Sequence, residues 1–229
     1  MKKISILQSN YIPWKGVFDM IDRVDKFVFF EDVDFTKRDW RTRNYIKTAN
    51  GLTMLTVPVK KTARGTKINN IYIVDDDKWR DRHINIITTA YSKARHFQEY
   101  RWILDEIYRS KKITKLSDFN MYVTKLLCNV LNIEADFVNS TDLATSGRKD
   151  DKLIEICKCL GATHYLSGPS AKSYISAEKF DEAELKVEYM EYVYPEYPQM
   201  FGDFEHGVSV LDLIFNCGTE ARNYVLTDA

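Results

Sequence analysis

The chain has 229 residues, 45% of them hydrophobic, enough for one large core or two small domains. Lys plus Arg and Asp plus Glu each number 33, so the formal net charge is zero. That balance lacks the basic excess of a general nucleic-acid coat protein, while local basic patches stay open.

Ile4–Leu7 reads as a first strand and Lys15–Val24 as a helix, with Phe18, Ile21 and Val24 on its apolar side. Between them lies Gln8-Ser9-Asn10-Tyr11-Ile12-Pro13-Trp14-Lys15-Gly16. In open α/β sheets, ligands bind at such strand-to-helix loops. Gln, Asn, Tyr and Trp offer neutral hydrogen-bonding groups and flat rings, Pro13 stiffens the loop, and Gly16 permits a close approach. The loop reads as a recognition surface rather than as a turn that covers the sheet edge.

Lys26–Phe30 is nearly continuous in apolar residues, as in a strand buried on both faces. It ends in Glu31-Asp32-Val33-Asp34, where a carboxylate could serve a ligand or simply face water. Lys37-Arg38-Asp39-Trp40-Arg41-Thr42-Arg43-Asn44 surrounds a Trp with four basic residues. Arg and Lys favour phosphate or carboxylate, and Trp stacks on a base or sugar. In an extended segment Arg41 and Arg43 share one face and suit a diphosphate; pairing with Asp39 is the structural alternative. Asn44–Thr48 and Leu52–Lys60 flank Ala49-Asn50-Gly51, a hairpin signal. Lys60–Lys67 is a basic connection, and Lys67–Val74 alternates as a further strand.

From Asp77 the period becomes helical, through Trp79, Ile84, Ile87 and Tyr91, then Tyr100 to Ile107, then Leu116 to Leu131. Strands follow at Asp136–Val138, Thr163–Leu166 and Leu185–Val193, with a helix at Asp150–Leu160 closed by Gly161. Ser167-Gly168-Pro169-Ser170 leaves a strand and could form an anion nest with Lys172 and Tyr174 nearby, or an ordinary strand exit. Gly207–Phe215 is apolar and stops at Asn216-Cys217-Gly218. The pattern implies an α/β fold: a Rossmann-like, mostly parallel sheet with a β-hairpin excursion and a helical middle segment. It reads as one domain over residues 1–229, with residues 77–133 as a helical subdomain.

Cys128, Cys157, Cys159 and Cys217 contain no CxxC pair, and the four His residues are scattered, so no metal site is expected. Residues 1–10 lack an apolar signal segment, and no run of about 18 apolar residues occurs. A cytoplasmic protein with free, mostly buried thiols and no membrane insertion is expected. There is no dinucleotide fingerprint, Walker A loop, GxSxG elbow or HExxH.

The first loop, Trp40-Arg41-Thr42-Arg43-Asn44, Leu55-Thr56-Val57-Pro58-Val59 and Tyr91-Ser92-Lys93-Ala94 together resemble the WbqC-like family. Tyr165 through Ser170, Tyr174, Pro195-Glu196-Tyr197-Pro198-Gln199 and Ser209 through Gly218 extend the resemblance along almost the whole chain. Ser9, Thr42 and Arg95 depart from the Pro, Asn and Pro common in that family. The resemblance implies a place in bacterial O-antigen or other surface-polysaccharide synthesis, with glycine transfer suggested for some members and no settled set of catalytic residues.

On that basis the expected activity is a transferase acting on a nucleotide- or lipid-linked amino sugar, with aminoacyl (glycyl) transfer as its most concrete form. His83 or Asp32 could act as base. Asn10, Gln8 or backbone N–H groups near Gly16 and Gly168 could stabilise an oxyanion. Arg41, Arg43, Lys15 and Lys172 could hold phosphates, with Tyr11, Trp14, Trp40, Asn44, Ser167 and Tyr174 in the binding surface. ATP or an aminoacyl donor would supply the group; tRNA as donor is not favoured by the zero net charge. A non-catalytic nucleotide-sugar-binding module and a nucleotidyl transferase are the rival readings. Gln8, Asn10, Tyr11, Trp14, Asn44, His83 and Ser167 are expected in one cleft.

Overall fold

Parallel strands in the order β5-β2-β1-β6-β7 form the central sheet of the computed structural model, which describes residues 1–226. They are β1 (Lys3–Leu7), β2 (Lys26–Phe29), β5 (Asp136–Asn139), β6 (His164–Ser167) and β7 (Lys186–Tyr189). Side chains alternate across each strand. Phe27 and Phe29 point to one face and join Phe137, with ring centroids 5.2 and 5.4 Å apart along the series. Ile4, Ile6, Val28 and Tyr165 point to the other. Both faces are covered, which explains the continuous apolar run of β2. Burial of each such Phe contributes about 1.5–3 kcal/mol.

Helices α6 (Asp150–Cys159) and α7 (Ala177–Glu182) cover the Ile4 face through Leu153, Ile156 and Phe180. Gly161, at φ +64°, closes α6: the Ala162 N–H bonds the Cys157 carbonyl and the Gly161 N–H bonds that of Lys158. The Phe27 face carries α1 (Lys15–Asp22) and α8 (Val210–Cys217). It also carries everything inserted between β2 and β5: the hairpin β3 (Arg43–Thr48) and β4 (Gly51–Thr56), then α2 (Lys78–Tyr91), α3 (Phe97–Tyr100), α4 (Trp102–Tyr108) and α5 (Leu116–Val130). Ile87, Phe97, Leu104 and Phe119 of these helices share one core with Phe27 and Phe29.

Two sequence expectations change. Lys67–Val74 is not a strand. Ile68 and Ile71 are both fully buried, and their spacing of three is that of the 3-10 turn at Ile68–Asn70. Among the described residues its β pairing is limited to isolated bridges, Asp34 to Lys67, Val59 to Ile73 and Tyr72 to Lys115, beside irregular backbone bonds such as Ile68 N–H to the Val33 carbonyl. The strand expected over Leu52–Lys60 stops at Thr56, two residues before Pro58, which has no N–H for a ladder. Among the described residues no helix is long and apolar enough to cross a membrane.

The chain runs outward from β1 to β2 and β5, then returns to the other side of β1 as β6 and β7. The direction of winding therefore reverses between β1 and β6. Crevices outside the carboxyl ends of the strands at such a point are the usual ligand positions in open α/β sheets. Gln8 and Ser167 lie there.

Candidate functional site

The loop after β1 is fastened at nearly every residue. The Ser9 N–H and hydroxyl donate to the two oxygens of Glu31, at 2.8 and 3.1 Å, and the Glu31 N–H donates to Ser140 Oγ. The Tyr11 N–H bonds the Trp40 carbonyl at 2.9 Å, and the Val210 N–H bonds that of Pro13 at 2.9 Å. Asn44 Nδ2 donates to the Ile12 carbonyl at 2.8 Å, while its Oδ1 accepts the Tyr45 N–H. Ile12 needs that clamp, because its φ of +35° is unfavourable for a β-branched residue. Strain of this kind costs about 1–3 kcal/mol and persists where surroundings over-determine it.

Gly16 admits a close approach, and the approaching group is Trp14. A Cβ at Gly16 would lie 2.3 Å from the Trp14 ring. The indole thus folds back over the first turn of α1, where Tyr192 holds its other side in an edge contact of 4.8 Å.

This arrangement opens a cavity of about 330 Å³ lined by Asn10, Pro13, Trp14, Trp40, Asn44 and Gly207. Its walls are mainly aromatic and apolar, and Trp40 is half exposed at its edge. The polar atoms of Asn44 are spent on backbone. Asn10 differs: its Oδ1 is buried and has no hydrogen-bond partner among the described residues. An unpaired buried acceptor costs about 1–3 kcal/mol, which a ligand donor would recover.

The other residues singled out in the sequence fall elsewhere. Gln8 lines a second cavity, of about 610 Å³, with Tyr174, Tyr165, Phe30, Leu153 and Lys149 on the α6 side of the sheet. Tyr11 and His83 are buried beneath the loop. Tyr11 Oη bonds His83 Nδ1 at 2.7 Å and also contacts the Tyr108 hydroxyl. The Thr56 backbone also faces the imidazole, and the residue is 4% exposed. Burial, with Arg82 nearby, holds its pKa down at about 4, so it is neutral at physiological pH.

Asp32 is bound by Lys152 and by Ser140 Oγ. Burial pushes its pKa up, but these bonds and the Lys152 charge outweigh that and leave it below the usual range. Arg41 Nε donates to Asp39 Oδ1 at 2.6 Å, and its Nη1 donates to Gln8 Oε1. The structural alternative weighed for Arg41 is therefore the arrangement seen. Among the described residues, the one polar contact of the Arg43 side chain is with Met54 Sδ. Ser167 is buried, with Oγ donating to Tyr165 Oη at 3.3 Å. Gly168 precedes the 3-10 turn Pro169–Ser173, and Lys172 Nζ lies 5.2 Å from the Tyr189 ring centre.

Lys15 is 3% exposed. Its Nζ sits 4.8 Å from the Tyr194 ring centre, 5.1 Å from Tyr197 and 5.6 Å from Phe204, with one acceptor, the Pro195 carbonyl at 3.5 Å. Burial lowers its pKa to about 8, against the opposing charges of Cys217 and Asp212. It packs behind the cavity wall, since Tyr194 also meets Trp14 edge-on at 6.0 Å.

The structure thus joins Asn10, Trp14, Trp40 and Asn44 in one cavity, places Gln8 and Tyr174 in another, and buries Tyr11, His83 and Ser167 between elements. Sequence reasoning missed Glu31, the residue that anchors the loop. It is fully buried, and desolvation raises its pKa to about 7 despite the two Ser9 bonds. Its signal was present: it is the first acidic residue after a buried strand. The Tyr192 and Tyr194 wall had no comparable signal, because it lies 178 and 180 positions from Trp14 in the chain. Among the described residues, no group of three or more His, Cys, Asp and Glu side chains is placed to hold a metal ion.

The model of the WbqC-like protein family matches residues 8–224. A protein of Mycobacterium tuberculosis (strain ATCC 25618 / H37Rv), described as "Uncharacterized protein Rv1507c", is 42% identical over 226 residues, which cover 98% of this chain and 98% of its own. No solved structure matches the chain. The loop, the Trp40–Asn44 segment and Gly207, which line the cavity, all fall inside the matched residues, and the chain belongs to the WbqC-like protein family.

Proposed function

We propose that this protein is a cytoplasmic transferase of bacterial surface-polysaccharide (O-antigen) synthesis that acts on a nucleotide- or lipid-linked amino sugar. The specific reaction is transfer of an aminoacyl group, glycyl first among them, to the sugar amine. The observation that carries this reading is a cavity walled by Trp14 and Trp40 and lined by Asn10, whose buried Oδ1 has no partner among the described residues. Sugars present apolar ring faces and hydroxyl or amine donors, and these match indole faces and a lone amide acceptor. The cavity's volume suits one sugar residue with its substituent.

The residues lining this cavity include no acid, His or Lys. His83 and Asp32 are engaged by other protein groups and do not line it. The chemistry therefore rests on a donor already activated, an aminoacyl adenylate made from ATP or an aminoacyl ester. The neutral sugar amine, oriented by Asn10, attacks the acyl carbonyl; the new C–N bond replaces the acyl–O bond, AMP or the alcohol of the ester leaves, and the amine proton passes to that leaving group or to water. Positioning of this kind lowers a barrier by converting a bimolecular step into one within a complex.

The same lack of a base favours a second reading, a nucleotide-sugar-binding module without turnover. Incubation with nucleotide-linked amino sugars and preformed glycyl adenylate, followed by mass spectrometry, separates them. A glycyl group added to the sugar supports the transferase. Saturable binding without product supports the module. Joining of AMP from ATP to a sugar phosphate, with release of pyrophosphate, would indicate nucleotidyl transfer instead.

A further inference from the structure

Two basic stretches that lie apart in the sequence meet at the base of the hairpin. Arg43 at the start of β3 pairs with Thr56 at the end of β4, and the Val57 N–H bonds the Thr42 carbonyl at 2.7 Å. This register lays residues 37–43 beside residues 57–62. The groove between the two arms has a volume of about 330 Å³ and is lined by Lys37, Arg38, Arg43, Lys60 and Lys61, with Thr hydroxyls among them.

No carboxylate lines the groove. None of the five cations forms a salt bridge with a carboxylate among the described residues. Lys60 feels the charge of Asp75, but Asp75 is already paired with Lys112 at 3.0 Å. Five like charges around one concavity repel each other and raise the local potential for anions. In a chain of zero net charge, such a cluster is a local feature rather than a consequence of composition.

The segment from Arg38 to Asn44 is shared by two concavities. Trp40 and Asn44 face the aromatic cavity, whereas Arg38, Thr42 and Arg43 face the groove. We propose that the groove is a binding site for the diphosphate group of the substrate, held by Lys37, Arg38, Arg43, Lys60 and Lys61 while the attached sugar enters the aromatic cavity. The groove as a diphosphate site stands on its own residues; the identity of the attached sugar rests on the function proposed above. Arg offers a planar fork that matches phosphate oxygens, and Lys offers mobile point charges. The groove has room for a compact diphosphate, and its size does not suit an extended nucleic-acid backbone.

The test is calorimetric titration of the full chain with inorganic pyrophosphate, uridine diphosphate and farnesyl diphosphate at low salt. Saturable pyrophosphate binding is expected. It should weaken at least tenfold in a Lys60→Ala, Lys61→Ala double variant and in Arg43→Ala, with little change in melting temperature, because Lys60 and Lys61 are exposed and Arg43 is held only by a weak contact with Met54 Sδ among the described residues. Tighter binding of uridine diphosphate than of pyrophosphate supports the site and assigns a nucleotide source; tighter binding of farnesyl diphosphate supports it and assigns a lipid source. Absence of saturable binding, or binding that the variants leave unchanged, overturns the proposal. So does tRNA binding that the variants abolish when pyrophosphate does not bind. An Asn10→Ala protein should bind pyrophosphate as the unaltered chain does, so a failed sugar assay and a failed groove are told apart.

Discussion

Ser9 and Glu31 form a two-point contact in which one buried carboxylate accepts both the N–H and the hydroxyl of a single loop residue, at 2.8 and 3.1 Å. Through it the end of β2 fixes the loop after β1. The carboxyl of Glu31 titrates at about 7 in the folded chain, raised from 4.5 by burial. The folded state thus binds the proton more tightly than the unfolded one. Its stabilising contribution is full below about pH 4.5 and is lost as pH rises through 7, by on the order of 3 kcal/mol. Glu31→Gln keeps an acceptor and removes the titration. Urea unfolding at pH 4.5 and 7.5 should show the unaltered protein losing stability relative to the variant across this window. Parallel behaviour of the two proteins would show that Glu31 does not titrate there.

His83 works in the opposite sense. Its neutral form, with a pKa near 4 against 6.5 when exposed, stabilises the fold above pH 6.5, and this is lost as pH falls towards 4. Between about pH 4.5 and 6.5 the two slopes oppose each other. His83→Gln should therefore steepen the decline of stability with rising pH over that interval. A variant whose curve is no steeper than that of the unaltered protein would place His83 outside this balance.

Arg41→Ala should lower the melting temperature, because it removes the ion pair of Asp39, which keeps only the residue-41 N–H and Thr36, and leaves Gln8 Oε1 without its donor in a half-buried setting. The loss should be about 1–3 kcal/mol. Pyrophosphate affinity should change less than threefold, since Arg41 does not line the groove. A tenfold fall in affinity with an unchanged melting temperature would return Arg41 to the phosphate site.

Much of the fold is legible in the sequence, and the reasons are local. The apolar run of Lys26–Phe30, the helix stop at Gly161 and the hairpin around Asn50-Gly51 each follow from short-range rules of burial, capping and turn chemistry. The site is legible in part. Asn10, Trp14, Trp40 and Asn44 stand out because polar and aromatic residues in loops are unusual, and they do share a cavity. What the sequence hides is pairing. Nothing in the chain before folding shows that Arg41 meets Asp39 and Gln8, that His83 meets Tyr11 and Thr56, or that Lys60 and Lys61 come to lie beside Arg43.

Gly16→Ala tests the seat of Trp14. The added methyl would occupy the space of the indole, so the ring must move. Tryptophan emission should shift and sugar-ligand affinity should fall, with a stability cost of about 1–3 kcal/mol. An unaltered spectrum would mean that the indole does not lie over α1.

The thiols give a further check. Burial raises Cys128 and Cys157 to about 12 and Cys217 to about 11, whereas Cys159 is exposed. Native protein should react with a thiol reagent at Cys159 alone, and replacing all four by Ala or Ser should leave activity intact. Inactivation of a folded Cys217→Ala protein would give that thiol a role in the reaction.

The most direct measurement is the mass of a nucleotide-linked amino sugar after incubation with preformed glycyl adenylate and either the unaltered protein or Asn10→Ala. The sugar should gain a glycyl group with the unaltered protein. Asn10→Ala should form product about tenfold more slowly, equivalent to about 1.4 kcal/mol, the upper range of one lost neutral hydrogen bond, at an unchanged melting temperature. Equal rates from the two proteins, or an unmodified sugar with both, would contradict the assignment of this cavity to aminoacyl transfer.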